Sequence, residues 1–143
     1  MELFHVGLAA LIERNENFLV LRRSPSKDFA PNSWEPVTGR LEQKEDPRDG
    51  ILREIGEETG IKARVLMPVD TWFFYRGGKE NPMVFIVFWC KHVEGEVKLS
   101  WEHTEYRWIT LKEAASEPAL KRFHQCFERV EKLKQHLPKD FAF

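Results

Sequence analysis

The sequence contains little cysteine, no long apolar run and no excess of charge of either sign. Its 143 residues include two cysteines, Cys90 and Cys126, and in the absence of a recognisable export signal we expect both to be buried, reduced thiols. No apolar stretch reaches the roughly 20 residues that a membrane-spanning helix needs, and the first residues lack the basic start of a signal peptide. We therefore expect a cytoplasmic protein that makes no contact with membranes.

The charges of the chain nearly cancel. Its 22 basic and 23 acidic residues leave a formal net charge of -1. Such a chain has no overall electrostatic field that would attract nucleic acid, and we expect none as a partner. Any ligand that carries phosphate must instead be held locally, by a metal ion or by a few basic side chains.

The composition is that of a folded protein. Hydrophobic residues make up 42% of the chain and aromatic residues 13%, which is enough apolar area for a packed core. The length favours one domain over residues 1–143. The segments follow in the order strand, strand, helix, three strands, helix, which predicts an α+β fold with a mixed sheet between helices. The five predicted strands span 3–12, 18–21, 65–75, 83–92 and 106–109, residues 34–38 are a candidate for an additional short strand, and Pro118 is expected to open the last helix.

One helix has clear start and stop signals. Asp46 can accept a hydrogen bond from a first-turn amide, and Pro47 suits the first helical position, where no amide hydrogen is needed. Gly60 suits a left-handed C-cap. These signals predict a helix from Pro47 to about Thr59.

This helix carries a cluster of carboxylates. Three and four residues after Glu54 come Glu57 and Glu58, so the three side chains share one helical face. Their negative charges repel each other. A bound cation would relieve the repulsion, and hard carboxylate oxygens suit Mg²⁺, with Mn²⁺ as an alternative. Arg53, four residues before Glu57, can pair with it and orient it. The alternative interpretation is an ordinary solvated acidic face.

The surroundings of the cluster distinguish these interpretations. The segment GRLEQKEDPRDGILREIGEETGI resembles the Nudix box, Gly-x5-Glu-x7-Arg-Glu-U-x-Glu-Glu-x-Gly-U, where U is a bulky aliphatic residue. All the specified positions are filled, by Gly39, Glu45, Arg53, Glu54, Ile55, Glu57, Glu58, Gly60 and Ile61. The resemblance implies the Nudix αβα sandwich and a hydrolase whose carboxylates bind catalytic divalent cations.

The resemblance also implies roles for single residues. Glu57 and Glu58 are expected to be metal ligands, Glu54 a ligand or the general base, and the Gly39 carbonyl a further contact. Glu45 is expected to orient Arg53, which in turn orients the carboxylates.

Two stretches beside the box extend the resemblance. Residues 33–39 and 101–108 resemble the corresponding parts of bacterial dATP (dihydroneopterin triphosphate) pyrophosphohydrolases, and a similar Glu-His-x-x-Tyr-x-Trp segment occurs in diadenosine polyphosphate hydrolases. The resemblance implies that a Glu of this second stretch reaches the metal or the attacking water. Glu102 is the first candidate and Glu105 the second, and the alternative is a polar loop before a strand. Glu105 is also a candidate for substrate binding.

The basic and aromatic residues near the box are candidates for substrate binding. Arg23 and Arg40 match phosphate-binding positions of the family, and the guanidinium fork suits phosphate oxygens. Trp34 is the favoured base-stacking residue, ahead of other strand aromatics that are more often part of a core. His103 could bind a phosphate or fix its own loop.

These inferences predict a metal-dependent pyrophosphohydrolase that cleaves a nucleoside diphosphate derivative, in first place a nucleoside triphosphate, to the monophosphate and pyrophosphate. The second hypothesis is hydrolysis of diadenosine polyphosphates or another linked diphosphate. A third is a nucleotide sensor without turnover, against which the complete box argues. A homodimer is also possible, because the aromatic strands around Phe73 and Phe85 could cover an interface or form an ordinary core.

Overall fold

A mixed seven-stranded sheet forms the centre of the protein in the computed structural model, which describes residues 1–141. The strands are β1 (His5–Arg14), β2 (Asn17–Arg23), β3 (Trp34–Glu35), β4 (Val37–Arg40), β5 (Lys62–Tyr75), β6 (Pro82–Glu94) and β7 (His103–Ile109). The α-helices are α1 (Pro47–Thr59), α2 (Leu111–Ser116) and α3 (His124–His136), and a 3₁₀ helix spans Pro118–Phe123.

Strand β1 organises the sheet. One edge of β1 pairs in parallel with β6, from His5 opposite Met83 to Glu13 opposite Lys91. The other edge pairs antiparallel with β4 and then, at the end of the strand, with β2. Strand β2 in turn carries β3 and β7, and β5 pairs with β6. The segment that leads into α1 therefore starts directly beside the centre of the sheet.

The alternating side chains of β1 build two cores. Leu8, Ala10 and Ile12 belong to the core that packs against Ile51 and Ile55 of α1. Ala9 and Leu11 belong to the opposite core, together with Phe123, Cys126, Phe127 and Val130 from the 3₁₀ helix and α3. Both faces of the sheet are thus covered by helices, and the predicted αβα sandwich is confirmed.

Three details differ from the prediction. The segment 34–38 forms two short strands, because Pro36 between them has no amide hydrogen to donate. The helix α2 was missed, because six residues with one buried side chain, Ala114, show no helical periodicity. Its capping box, Thr110 with Glu113, is nevertheless legible in the sequence. Pro118 opens a 3₁₀ helix, and the last α-helix begins later, at His124.

The structure also shows how far the two cysteines and the strand aromatics are exposed to solvent. Cys90 and Cys126 are free and buried, as predicted, and burial raises the pKa of each thiol to about 12. Phe85 is part of the core, whereas Phe73 is 56% exposed. A homodimer through the aromatic strands stays a prediction. None of the helices within residues 1–141 combines the length and apolar character needed to cross a bilayer.

Two glycines, one inside α1 and one at its C-cap, give opposite predictions for stability. Gly60 has a φ of 71°, where a side chain is strained, so Gly60→Ala should lower the free energy of unfolding by about 1 kcal/mol. At Gly56 an added Cβ would meet no atom within 4 Å, so Gly56→Ala should raise it by roughly 0.5–1 kcal/mol. Urea denaturation of both variants measures the two changes. Equal effects of the two substitutions would contradict the left-handed end of α1.

Candidate active site

The caps of α1 hold its carboxylates at a fixed place. The side chain of Asp46 accepts a hydrogen bond of 2.9 Å from the amide of Arg48, and the amide of Gly60 donates to the carbonyl of Gly56 at 2.9 Å. The helix therefore has the bounds that the sequence predicted. Since its apolar face packs on the sheet, Glu54 and Glu58 turn toward the end of the sheet and Glu57 remains exposed.

Arg53 connects the preceding loop to the carboxylates. Its Nε and Nη2 atoms donate to the two oxygens of Glu45 at 2.8 and 3.0 Å, and Nη2 also donates to the carbonyl of Arg40 at 3.0 Å. Its Nη1 atom donates to Glu54 at 2.9 Å and to Glu57 at 3.3 Å. The hydrogen bonds from Arg53 and from the amide of Glu42 lower the pKa of Glu45 to about 2, and those carboxylates raise the pKa of Arg53 above its usual range.

Gly39 allows Glu54 to lie against strand β4. A Cβ built at Gly39 would lie 2.2 Å from Cδ of Glu54, so any other residue would displace this carboxylate. The space that Gly39 leaves is partly desolvated, and desolvation raises the pKa of Glu54 despite its hydrogen bond to Arg53. Close packing against the carboxylate of Glu54 thus explains why position 39 is a glycine.

Glu58 is the most buried of the carboxylates on α1. It is 3% exposed, and its Oε2 atom has no hydrogen-bond partner. Desolvation, together with the nearby charges of Glu54, Glu35 and Glu102, raises the pKa of Glu58 to about 10. A buried carboxylate without a partner is costly unless a proton or a cation neutralises it.

A buried network lies next to Glu58. Nη1 of Arg23 donates to both oxygens of Glu35 at 3.0 Å, and Nε of Arg23 donates to the carbonyl of Phe29 at 2.8 Å. Nε2 of His103 lies 2.9 Å from Oε2 of Glu35, so His103 donates to that carboxylate, and its Nδ1 lies 3.9 Å from Oε1 of Glu58. Glu35 was not among the predicted site residues, although it lies in a stretch that resembles the family.

Glu102 faces the carboxylates of α1 from the loop before β7. It pairs with Nζ of Lys27 at 2.9 Å, and the two residues line the same cleft as Glu54, Glu57 and Glu58. Lys27 was missed because it lies in a loop without a pattern. A lysine beside a cluster of carboxylates supplies a local positive charge that the overall composition does not reveal.

These side chains line a cleft of about 360 Å³ at one end of the sheet. Of the sequence-predicted residues it brings together Arg23, Gly39, Arg40, Glu54, Glu57, Glu58 and Glu102. Arg53 is not in the lining, but it donates hydrogen bonds to Glu54 and Glu57, which are. Trp34 does not line this cleft and packs against the guanidinium of Arg107, whose carbon lies 4.6 Å from the ring centroid. Glu105 lies on β7 and pairs with Arg22 at 3.4 Å, outside the cleft.

The aromatic residues that line the cleft do not include Trp34, which the sequence favoured for base stacking. Phe29, Phe74 and Phe85 line it. Trp72 is stacked on Phe85, with ring centroids 5.4 Å apart, and so belongs to the core. Sequence periodicity could not select Phe29, because it lies in an irregular loop.

The donor set suits a hard divalent cation. Carboxylate oxygens are the ligands that Mg²⁺ and Mn²⁺ prefer, and the buried, unpartnered Oε2 of Glu58 is an oxygen that a cation would satisfy. Within residues 1–141 no three Asp, Glu, His or Cys side chains form a ready-made metal site. Arg53 engages Glu54 and Glu57, so these carboxylates would have to turn to share an ion.

Comparisons with known protein sequences show which proteins this chain is similar to. A model of the NUDIX domain matches residues 3–130. The sequence is 31% identical over 118 residues to a MutT-like protein of Streptomyces ambofaciens, which covers 82% of this chain and 71% of that protein. It is 34% identical over 88 residues to the asymmetrical bis(5'-nucleosyl)-tetraphosphatase of Mus musculus, which covers 57% of this chain and 58% of that protein.

A solved structure also matches over nearly the whole chain. The MutT protein of Methanosarcina mazei Go1 superimposes with a TM-score of 0.81 and 30% identity, covering 92% of this chain and 96% of that chain. The chain therefore belongs to the Nudix family of hydrolases, which act on phosphoric anhydride bonds and generally use divalent cations.

The burial of Glu58 predicts a pH-dependent stability. Its pKa of about 10 in the folded protein exceeds the ordinary 4.5, so its contribution to stability falls as pH rises between these values. In EDTA, Glu58→Gln should therefore raise Tm by a few degrees at about pH 8 and change it little at about pH 4. Scanning calorimetry measures both shifts, and Glu131→Gln, on the exposed surface of α3, is the control. The same shift at both pH values would argue against a buried, neutral carboxyl.

Proposed function

We propose that the protein is a metal-dependent pyrophosphohydrolase that cleaves a nucleoside triphosphate to the nucleoside monophosphate and pyrophosphate. The observation that carries the proposal is the buried, unpartnered carboxylate of Glu58 beside Glu54 and Glu57, in a cleft that also contains basic side chains. A cleft of carboxylates alone would repel a diphosphate, and the combination with Lys27, Arg23 and Arg40 supplies the opposite charge.

Glu57 and Glu58, with Glu54 and the carbonyl of Gly39, would hold Mg²⁺, and Mn²⁺ is the alternative ion. A bound divalent cation neutralises the charge of the diphosphate and favours the ionisation of water. Arg53 keeps the carboxylates at their places through its bonds to Glu54 and Glu57.

Glu54 is the proposed general base. Its raised pKa suits a carboxylate that must take a proton from water, and it is partly buried in the lining of the cleft. Glu102 is the second candidate, because it lines the same cleft and Lys27 holds its carboxylate. In the reaction the water oxygen bonds to one phosphorus, the bridging P–O bond breaks, and the proton passes to the carboxylate.

Arg23 and Arg40 are the proposed phosphate-binding residues. Arg23 lines the cleft and keeps its Nη2 atom without a partner, although its other donors are bound to Glu35 and Phe29. The side chain of Arg40 is exposed at the rim, where its guanidinium can reach a substrate. Trp34 lines an adjoining pocket that shares Arg23, Phe29 and Arg122 with the cleft, and Glu105 pairs with Arg22 outside it, so substrate binding by these two residues stays a prediction.

A second candidate function is the hydrolysis of dinucleoside polyphosphates. It is supported by the identity of 34% to the mouse tetraphosphatase over 88 residues. The chemistry at the carboxylates is the same for both substrates, so the choice depends on the rest of the cleft.

The products formed from a panel of substrates test this proposal. With Mg²⁺ we expect nucleoside triphosphates to give the monophosphate and pyrophosphate, identified by anion-exchange chromatography. Glu57→Gln should reduce kcat by at least about 100-fold with little change in Tm, because the residue is exposed and acts through its charge. The matched control is Glu131→Gln, also on an exposed helical surface. Full activity of Glu57→Gln, or no turnover of any nucleotide by the native protein, would overturn the proposal.

A further inference from the structure

The cleft is lined by three arginines that surround one phenyl ring. The guanidinium carbons of Arg23, Arg76 and Arg122 lie 6.0, 4.8 and 6.0 Å from the ring centroid of Phe29. We call these three residues the arginine cluster. They come from β2, from the loop between β5 and β6, and from the 3₁₀ helix, and all of them line the cleft that contains the carboxylates of α1.

The arginine cluster has an excess of positive charge. Within residues 1–141, Arg23 forms an ion pair with Glu35, whereas neither Arg76 nor Arg122 pairs with a carboxylate. The guanidinium groups of Arg76 and Arg122 instead lie over aromatic rings, Phe29 for both and also Phe74 for Arg122. Partial desolvation lowers the pKa of Arg122. The charge of Glu35 acts in the opposite direction, and the charges of Arg23 and Arg76 act in the same direction as desolvation. Three arginines with one carboxylate among them leave a net positive charge, which favours the binding of an anion.

The chemistry of the cluster indicates which anion fits. Guanidinium groups have donors but no acceptors, and their planar fork matches the oxygens of a phosphate group. The carbonyl edge of a nucleobase also offers acceptors, but it is neutral and would leave the excess charge uncompensated. Within residues 1–141 none of the three arginines pairs with Glu54, Glu57 or Glu58, so those carboxylates stay available for a cation and for the two phosphates that react.

We propose that the arginine cluster binds phosphate groups of the substrate beyond the scissile diphosphate. The inference rests on the proposed function and assigns to Arg76 and Arg122 the preference of that site for chains of three or more phosphates. Nucleoside triphosphates and dinucleoside tetraphosphates belong to this class, whereas nucleoside diphosphates and nucleoside diphosphate sugars do not. Arg76 and Arg122 then determine specificity and take no part in bond cleavage.

A binding experiment without metal tests the cluster independently of catalysis. Inorganic tripolyphosphate is titrated into the protein in EDTA and followed by calorimetry. Loss of one charged hydrogen-bonding group should weaken binding roughly 10-fold or more in Arg122→Gln and in Arg76→Gln. The control is Lys121→Gln, which removes a neighbouring exposed charge that does not line the cleft and should leave Kd within about 2-fold. Equal weakening in all three variants, or none in the arginine variants, would overturn the proposal.

Kinetics with metal separates phosphate binding from base recognition. We expect Arg122→Gln to raise KM for nucleoside triphosphates roughly 10-fold with a small change in kcat, and to leave KM for diphosphates within about 2-fold. Arg122→Lys should recover part of the loss, because it keeps the charge. Equal losses for tri- and diphosphates, or a loss that depends on the base, would contradict the proposal. If the native protein hydrolyses no nucleotide, the proposed function fails, while the tripolyphosphate titration still decides whether the cluster binds phosphate.

Discussion

The guanidinium of Arg53 connects three parts of the site that would otherwise be independent. It donates to both oxygens of Glu45 in the loop before α1, to the carbonyl of Arg40 at the end of β4, and to Glu54 and Glu57 on its own helix. Three carboxylates on one helical face repel each other, so they need a fixed positive charge among them when no cation is present. The positions of Glu54 and Glu57, and hence the shape of the cleft, depend on this residue.

The cleft contains charges that the composition of the chain conceals. Its lining combines the carboxylates of α1 and Glu102 with the guanidinium groups of Arg23, Arg76 and Arg122. The net charge of -1 over the whole chain does not reveal this local combination. A cation held by the carboxylates and phosphate groups held by the arginines would each meet charge of the opposite sign. Local charge, rather than the total, determines which ligands fit.

Glu58 and the buried network beside it show why the end of β2 and the start of β7 matter to the site. Arg23 binds Glu35 with two hydrogen bonds, Glu35 accepts one from His103, and His103 lies 3.9 Å from Glu58. Each of these side chains is buried, so each needs a partner to offset the loss of water. Nη2 of Arg23, Nδ1 of His103 and Oε2 of Glu58 remain without one, and of these residues Arg23 and Glu58 line the cleft.

The sequence by itself determined the features that depend on neighbouring residues. The caps Asp46 and Gly60 fixed α1, and the spacing of the box put its carboxylates on one face, because helix geometry repeats over three or four residues. The positions of Trp34, Glu105, Phe29, Arg76 and Arg122 were decided by the tertiary structure alone. Which loop residues meet in one cleft depends on how strands far apart in the chain pair, and no local pattern contains that information.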